Sequence, residues 1–362
     1  MTPAAPQAAA YDRLRIYYFS GTGNALTAAR WVRERTVERG VDVELIPIDR
    51  LKHGEPPAGK RVLVGFHFPT HGFTTPWCVI KFLARFPRRR GGAVDVYVSN
   101  SRAGTNIGRL FIPGVSGTAA LVPLVILALK GYRVGGAKAA DLPSNWLQFH
   151  PGFTAKAAEA MLARRRPQFR RWTDRIVDGR ASFEGWGTFI LDIAFAPISP
   201  GYLLVGRFWL AKMQMASWAC DGCALCERLC PVGAIELRRG RPYWTHRCEA
   251  CMRCLSVCPW KAVESSHLYL GATITAYVYA AGALMTAAAA VAARFPVWAP
   301  LVNALYAPVR WLAAMAIIMG GYALLAPALR LKPLNQAFTY TALTRYWRRY
   351  LAPGIRPPDF RR

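Results

Sequence analysis

Eight of the nine cysteines stand in two runs between Cys220 and Cys258. Both runs read C-x2-C-x2-C-x3-C-P, the ligand spacing of cubane iron–sulfur clusters. The reason is geometric: two-residue gaps let one tight loop set three thiolates around three corners of a compact core, and the fourth comes from elsewhere. In this pattern the last cysteine of each run serves the other cluster. Cys220, Cys223, Cys226 and Cys258 are therefore expected to hold one 4Fe-4S cluster, and Cys248, Cys251, Cys254 and Cys230 a second. Pro231 and Pro259 turn the chain away behind the crossing cysteines. Tetrahedral zinc also uses C-x2-C pairs, but usually two separated ones, which a third cysteine at the same gap fits poorly. A disulfide framework fits less well still, since the spacing is that of metal ligands and no secretory signal precedes it.

Earlier in the chain, from Arg13, short apolar runs alternate with longer amphipathic ones, the pattern of a parallel sheet covered by helices. Strands are expected at 14–19, 41–48, 61–67, 93–99 and 132–138, with helices at 24–39, 75–86 and in the stretch ending at Lys130. The first strand-to-helix turn is Ser20-Gly21-Thr22-Gly23-Asn24. It lacks the lysine of a Walker loop and is too short for the dinucleotide fingerprint. Small and hydroxyl residues feeding a helix N-terminus can nevertheless wrap a phosphate monoester with N–H and O–H donors.

The stretch YFSGTGN resembles the phosphate loop of flavodoxin domains fused to bacterial ferredoxins, a resemblance that covers roughly residues 13–263. It implies FMN, with the phosphate on Ser20, Thr22, Gly23, Asn24 and Ala25. Two further loops fall where a flavodoxin makes its isoalloxazine contacts, at the carboxyl ends of later strands near the topological switch point. One comprises Phe68, Pro69, Thr70, His71, Gly72 and Phe73, in which His71 stands where the family often has an aromatic, leaving Phe73 and Trp77 as candidate stacking partners. The other runs from Ser99 and Asn100 to Gly104 and Thr105. A turn containing Pro143 and Asn145 resembles a third family loop near the flavin. His67 and Cys78 read as structural.

The chain has 362 residues, is 53% hydrophobic and carries a formal net charge of +27. That pairing points to nucleic acid or an anionic membrane surface. The basic residues cluster beside apolar segments, which excludes nucleic acid and favours membrane lipids. Residues 268–293 contain no charge and 301–329 only Arg310; at 1.5 Å per residue, ~20 apolar residues cross a bilayer. Small residues such as Ala316 and Gly320, four apart, suit close helix packing. Arg310 is expected to snorkel from the start of its span, the other reading being that it faces a partner or head group within the membrane. Arg330, Lys332, Arg345, Arg348, Arg349, Arg356, Arg361 and Arg362 against Asp359 place the tail in the cytoplasm by the positive-inside rule.

Residues 110–129 are uncharged but interrupted by Pro113, Gly114, Gly117 and Pro123, so a loop and buried helix are expected there rather than a span, the other reading being a surface that dips into the membrane. The helix over 154–178, bent at Pro167, carries Arg164, Arg165, Arg166, Arg170, Arg171 and Arg175 as a solvated face or a patch for head groups. The aromatic stretch 182–219 reads as two short helices at the interface or between domains. Only nine residues separate Cys258 from Leu268, a reach of roughly 30 to 35 Å when extended, so at least one cluster hangs near the bilayer.

The expected architecture is an α/β flavodoxin-like doubly wound parallel sheet, a bacterial ferredoxin-like two-cluster domain and a two-helix transmembrane hairpin. Its boundaries are a disordered leader over 1–10, the FMN domain over 11–180, a linker over 181–219, the cluster domain over 220–266, the hairpin over 267–330 and a basic tail over 331–362. The leader has no basic n-region or apolar h-region and does not read as a signal peptide. The expected role is electron relay at the cytoplasmic membrane between a soluble donor such as a ferredoxin or reductase, FMN, the two 4Fe-4S clusters and a membrane acceptor such as quinone or a redox complex. A reductase of a membrane substrate and a scaffold subunit remain open alternatives. No residue stands out as a catalytic acid or base, so the chemistry belongs to the cofactors.

Overall fold

The computed structural model describes residues 9–49, 51, 53–56, 58–89, 93–107 and 110–360. Residues 1–8 of the expected leader, and Arg361 and Arg362 of the tail, lie outside the described residues. Strand β1 (Arg13–Tyr18) sends Leu14, Ile16 and Tyr18 to one face and Tyr17 to the other, the period-two alternation of a strand buried on both sides. There follow α1 (Asn24–Glu38), β2 (Asp42–Pro47), β3 (Arg61–Pro69), α2 (Trp77–Arg85) and β4 (Ala93–Ile107). Next come β5 (Leu110–Ile112), α3 (Leu121–Leu129), β6 (Arg133–Pro143), α4 (Ala155–Val177) and β7 (Ser182–Glu184).

The six strands β2-β1-β3-β4-β6-β7 are parallel at every step, and β5 pairs antiparallel with β4. Setting aside β5 and the added edge strand β7, the order is the 2-1-3-4-5 of flavodoxin-like doubly wound sheets. Trp31 of α1 and Phe169 and Trp172 of α4 fill one face, while Phe82 and Leu83 of α2 and Leu127 of α3 fill the other. Burial of a side chain such as Phe66 or Phe169 contributes ~1.5–3 kcal/mol.

Three expectations need correction. Residues 99–105 are not a loop, because β4 continues through Ile107 and pairs Asn100 with Ala139 and Gly104 with Pro143. The helix after β5 buries Leu127 but leaves Leu121, Val125 and Leu129 exposed. Ser182–Glu184 extends the sheet past the boundary expected at 180. The arginines of α4 form the expected solvated face, laced with surface ion pairs: Arg166 pairs with Glu34, Arg170 with Glu38 and Arg175 with Glu184. Pro167 lies within α4 without ending it.

The second unit has four short strands, β8 (Gln214–Ala216), β9 (Ile235–Arg238), β10 (Arg241–Trp244) and β11 (Val263–Ser265). β8 pairs with β11 and β9 with β10, all antiparallel. Each strand before one cysteine run thus pairs with the strand after the other run. The backbone repeats in step: Ala224 and Met252, both near φ 60°, open the short helices Leu225–Arg228 and Arg253–Val257.

Two helices, His267–Arg294 and Pro296–Ala328, are long and apolar enough to cross a membrane. Ser266 starts the first by accepting from the Tyr269 amide, an N-cap. The bridge comprises α5 (Phe189–Phe195) and a helix over Ile198–Lys212, bent from it by 45°. That second helix lies against the hairpin, where Trp311 Nε1 donates to Leu204 O. The tail is packed rather than trailing: after the helix Lys332–Tyr340, Arg349 pairs with buried Glu264, Arg348 donates to Gly152 O and Asp359 pairs with Arg30.

Candidate functional site

The eight cysteines of the two runs line two small cavities of equal size, about 20 Å3 each. Cys230, Cys248, Cys251 and Cys254 line one; Cys220, Cys223, Cys226 and Cys258 line the other. Cys230 of the first run lines the cavity of the second run, and Cys258 of the second run lines that of the first. Among the described residues, no three His, Cys, Asp or Glu side chains converge as ligands of one metal ion.

Backbone amides point at these sulfurs. Cys230 accepts from Ala234 N at 3.2 Å, Cys258 from Ala262 N at 3.3 Å and Cys248 from Ala250 N at 3.4 Å. Such bonds favour the thiolate and tune the potential of a bound cluster. Burial works the other way, pushing the Cys226 and Cys251 thiols up to about 12. As bare side chains they stay protonated; bound metal is what holds such sulfurs as thiolates.

The two quartets differ in their surroundings. The first opens outward, with Cys223 and Trp260 exposed at its rim. Around the second stand three buried side chains that sequence reasoning passed over. Arg253 donates to Asp49, to Leu229 O and to Ser20 O. Glu249 accepts from the amides of Trp77 and Cys78 at the start of α2, and desolvation pushes its carboxyl up to about 7. Lys212 donates to Trp244 O and faces the rings of Tyr243 and Tyr322; burial lowers it to about 8. The repeat offered one signal for Arg253, because the matching position in the first run is Leu225.

The second quartet sits against the loop expected to bind phosphate. A Cβ added to Gly21 would lie 1.9 Å from Cys251 O, so the loop touches the cysteine module with no space between. Ser20 Oγ accepts from Gly23 N and Leu26 N. Thr22 Oγ1 accepts from Asn145 Nδ2 at 2.7 Å, and Thr22 O from Ala352 N at 2.8 Å. Asn24 donates to Pro143 O and accepts from the Tyr350 hydroxyl, both at 2.7 Å. Ile355 and Ala352 pack on Gly23, and Ala25 is buried. The side chains of the loop are thus tied to this chain's own residues, with Ser20 Oγ and Thr22 Oγ1 as acceptors, and these same residues are the ones that would hold the phosphate of FMN.

The other residues expected around a flavin are engaged with the bridge. Gly72 has φ 53° and lies on the Tyr202 ring, where a Cβ would approach within 2.1 Å. Phe73 stacks on Phe195 at 4.7 Å and Trp77 lies under Arg207. Pro69 pairs with Ser101, and Thr70 accepts from Asn100 Nδ2. Ser99 Oγ, Asn100 Oδ1 and His71 Nδ1 are buried without hydrogen-bond partners. Burial holds His71 neutral, lowered to about 4, and His67, lowered to about 3, contacts the Tyr97 hydroxyl at 3.2 Å.

No protein-family model and no curated protein matches the chain. Among solved structures it is similar to a short-chain flavodoxin associated with a non-canonical PDU bacterial microcompartment, at 13% identity and a TM-score of 0.27, over 44% of this chain and 94% of that one. It is also similar to a flavodoxin from the domain Archaea, at 13% identity and a TM-score of 0.26, over 46% of this chain and 96% of that one. The flavodoxin-like assignment of residues 13–184 rests on the strand order of the sheet itself.

Proposed function

We propose that the chain is a membrane-anchored electron-transfer protein whose two cysteine quartets each hold a 4Fe-4S cluster. One observation carries this reading: each of two matched cavities is lined by four cysteines, three from one run and the fourth from the other. The C-x2-C-x2-C-x3-C-P spacing of both runs suits a 4Fe-4S core, whereas tetrahedral zinc usually takes two separated C-x2-C pairs. A cluster supplies one-electron transfer; the chain supplies burial, amide donors to sulfur and orientation.

The flavodoxin-like domain then acts as the seat on which the cysteine module is docked, and no electron step is assigned to FMN. The hairpin anchors the module at the bilayer, with membrane lipids as its surroundings. The redox units lie on the cytoplasmic side, where a soluble reductant supplies the electrons.

The test is anaerobic purification from membranes, with iron and sulfide analysis and flavin measured in the acid supernatant. About eight irons and eight sulfides per chain, without stoichiometric flavin, is the expected result. Iron-free protein, or zinc in its place, would overturn the cluster assignment. One flavin per chain would show that the tail and the cysteine module leave the SGTGN loop.

A further inference from the structure

We propose that the cavity between the bridge helix and the hairpin binds the head group of a lipid-soluble quinone, with Arg310 donating to a ring carbonyl. The proposal draws on the electron-transfer reading only in choosing a redox-active occupant. The cavity measures about 270 Å3 and is walled by Val205 and Trp209 of the bridge, Tyr277 of the first long helix, and Tyr306, Arg310 and Ile318 of the second. That is a little under the ~300–1,000 Å3 of pockets for drug-sized ligands, the right scale for one or two fused rings. Trp311, on the same wall, is 41% exposed, so the cavity has a side facing lipid.

Arg310 does not snorkel. Its Nη2 donates to the Tyr277 hydroxyl at 2.9 Å, its guanidinium lies 5.3 Å from the Tyr306 ring, and its Nε is buried with no hydrogen-bond partner among the described residues. Tyr322, which touches the cysteine module, follows it by twelve residues, roughly 18 Å along a helix, which sets Arg310 deep within the span. No acid lines the cavity. An arginine at such depth marks a ligand or a pathway rather than a stabilising contact.

The walls choose the ligand. A phospholipid phosphate sits at the interface and calls for several cations, whereas here a single N–H donor group faces flat aromatic surfaces at depth. A planar ring bearing a carbonyl matches both features. The position also connects to the cysteine module. Ile318 lies one turn before Tyr322, whose hydroxyl accepts from Trp244 N, and Trp244 lines the second quartet's cavity.

The experiment uses full-length protein in detergent, titrated with a decyl-tailed benzoquinone, with quenching of tryptophan fluorescence as the readout and iron measured on the same sample. Saturable quenching is expected, weakened about tenfold or more by Arg310→Gln and less by Arg310→Lys. Ala307→Phe, which fills the cavity without touching the charge, should abolish it, and keeps the test decisive if Arg310→Gln does not fold. Arg294→Gln at the hairpin turn should change nothing. Unsaturable quenching, or equal affinity in Arg310→Gln and Ala307→Phe, would overturn the proposal. So would an anionic phospholipid retained by the wild type, lost in Arg310→Gln and not displaced by the quinone. Iron-free protein that still quenches would sink the cluster assignment and leave this site standing.

Discussion

The two cysteine quartets share a spacing, a backbone and a pattern of amide donors, yet one opens to solvent beside Cys223 and Trp260 while the other is sealed among Arg253, Lys212, Glu249 and Trp244. The ligand motif therefore sets what can bind, and the neighbours set how it behaves. Nearby positive charge favours the reduced state of a cluster. The sealed quartet is also the one that holds the two units together.

Arg253→Met should have the largest effect. It strips the guanidinium from Asp49 and from three backbone carbonyls, and removing one partner of a buried pair costs about 3–5 kcal/mol. Chemical denaturation should show that loss, with iron lost from the sealed quartet before the open one. An unchanged midpoint would mean that the docking does not depend on Arg253. Next comes Gly21→Ala, where the new methyl meets Cys251 O; overpacking of this kind costs about 1–3 kcal/mol. Its effect should appear as a lower melting temperature, absent if the loop and the module are in truth apart.

Lys212→Met probes charge alone. Losing the cation beside Cys248 should lower the midpoint of the sealed cluster by tens of millivolts, on the order of one tenfold step per ~59 mV. Redox titration followed by electron paramagnetic resonance would report it, and the open cluster should not move. If both midpoints shift equally, the quartets are not electrostatically distinct. A smaller asymmetry lies in the backbone. The first run uses Gly222 and Gly233 at positive φ where the second has Ala250 and Lys261. Ala250→Gly should stabilise by about 1 kcal/mol, since a left-handed L-residue carries a cost of that size.

The smallest effect concerns the ion-paired face remote from both quartets. Hydrogen bonds from Arg170 and Arg35 lower the Glu38 carboxyl from 4.5 to about 2. Because the folded value is depressed, the clasp between α1 and α4 contributes above about pH 4.5 and is lost as pH falls toward 2. Acid titration of stability should be slightly flatter in Glu38→Gln, and an identical profile would remove this pair from the account.

Much of this was legible. Period-two strands are local patterns, and the parallel sheet follows from them. The neighbours of the SGTGN loop were not legible, for a physical reason. Its form is that of a phosphate cradle, but the groups packed against it, Cys251 O, Tyr350 and Ala352, come from more than 200 residues away. Nothing local announces such a contact. The strand character of 99–105 was hidden by Ser, Asn and Gly, residues that favour turns, and it emerges only from pairing with β6. Arg310 could be placed in a span from sequence, but its turn toward Tyr277 depends on how two helices face each other.

The tail's hold on the SGTGN loop also has a consequence in time. The stretch around Asn24 leaves the ribosome early, and the residues that seal it, Ala352 and Ile355, leave more than 300 residues later. At roughly 5–20 residues per second, that is an interval of about 20 to 60 seconds. The loop is therefore covered by the tail only after the sheet, the cysteine runs and both long helices have been synthesised.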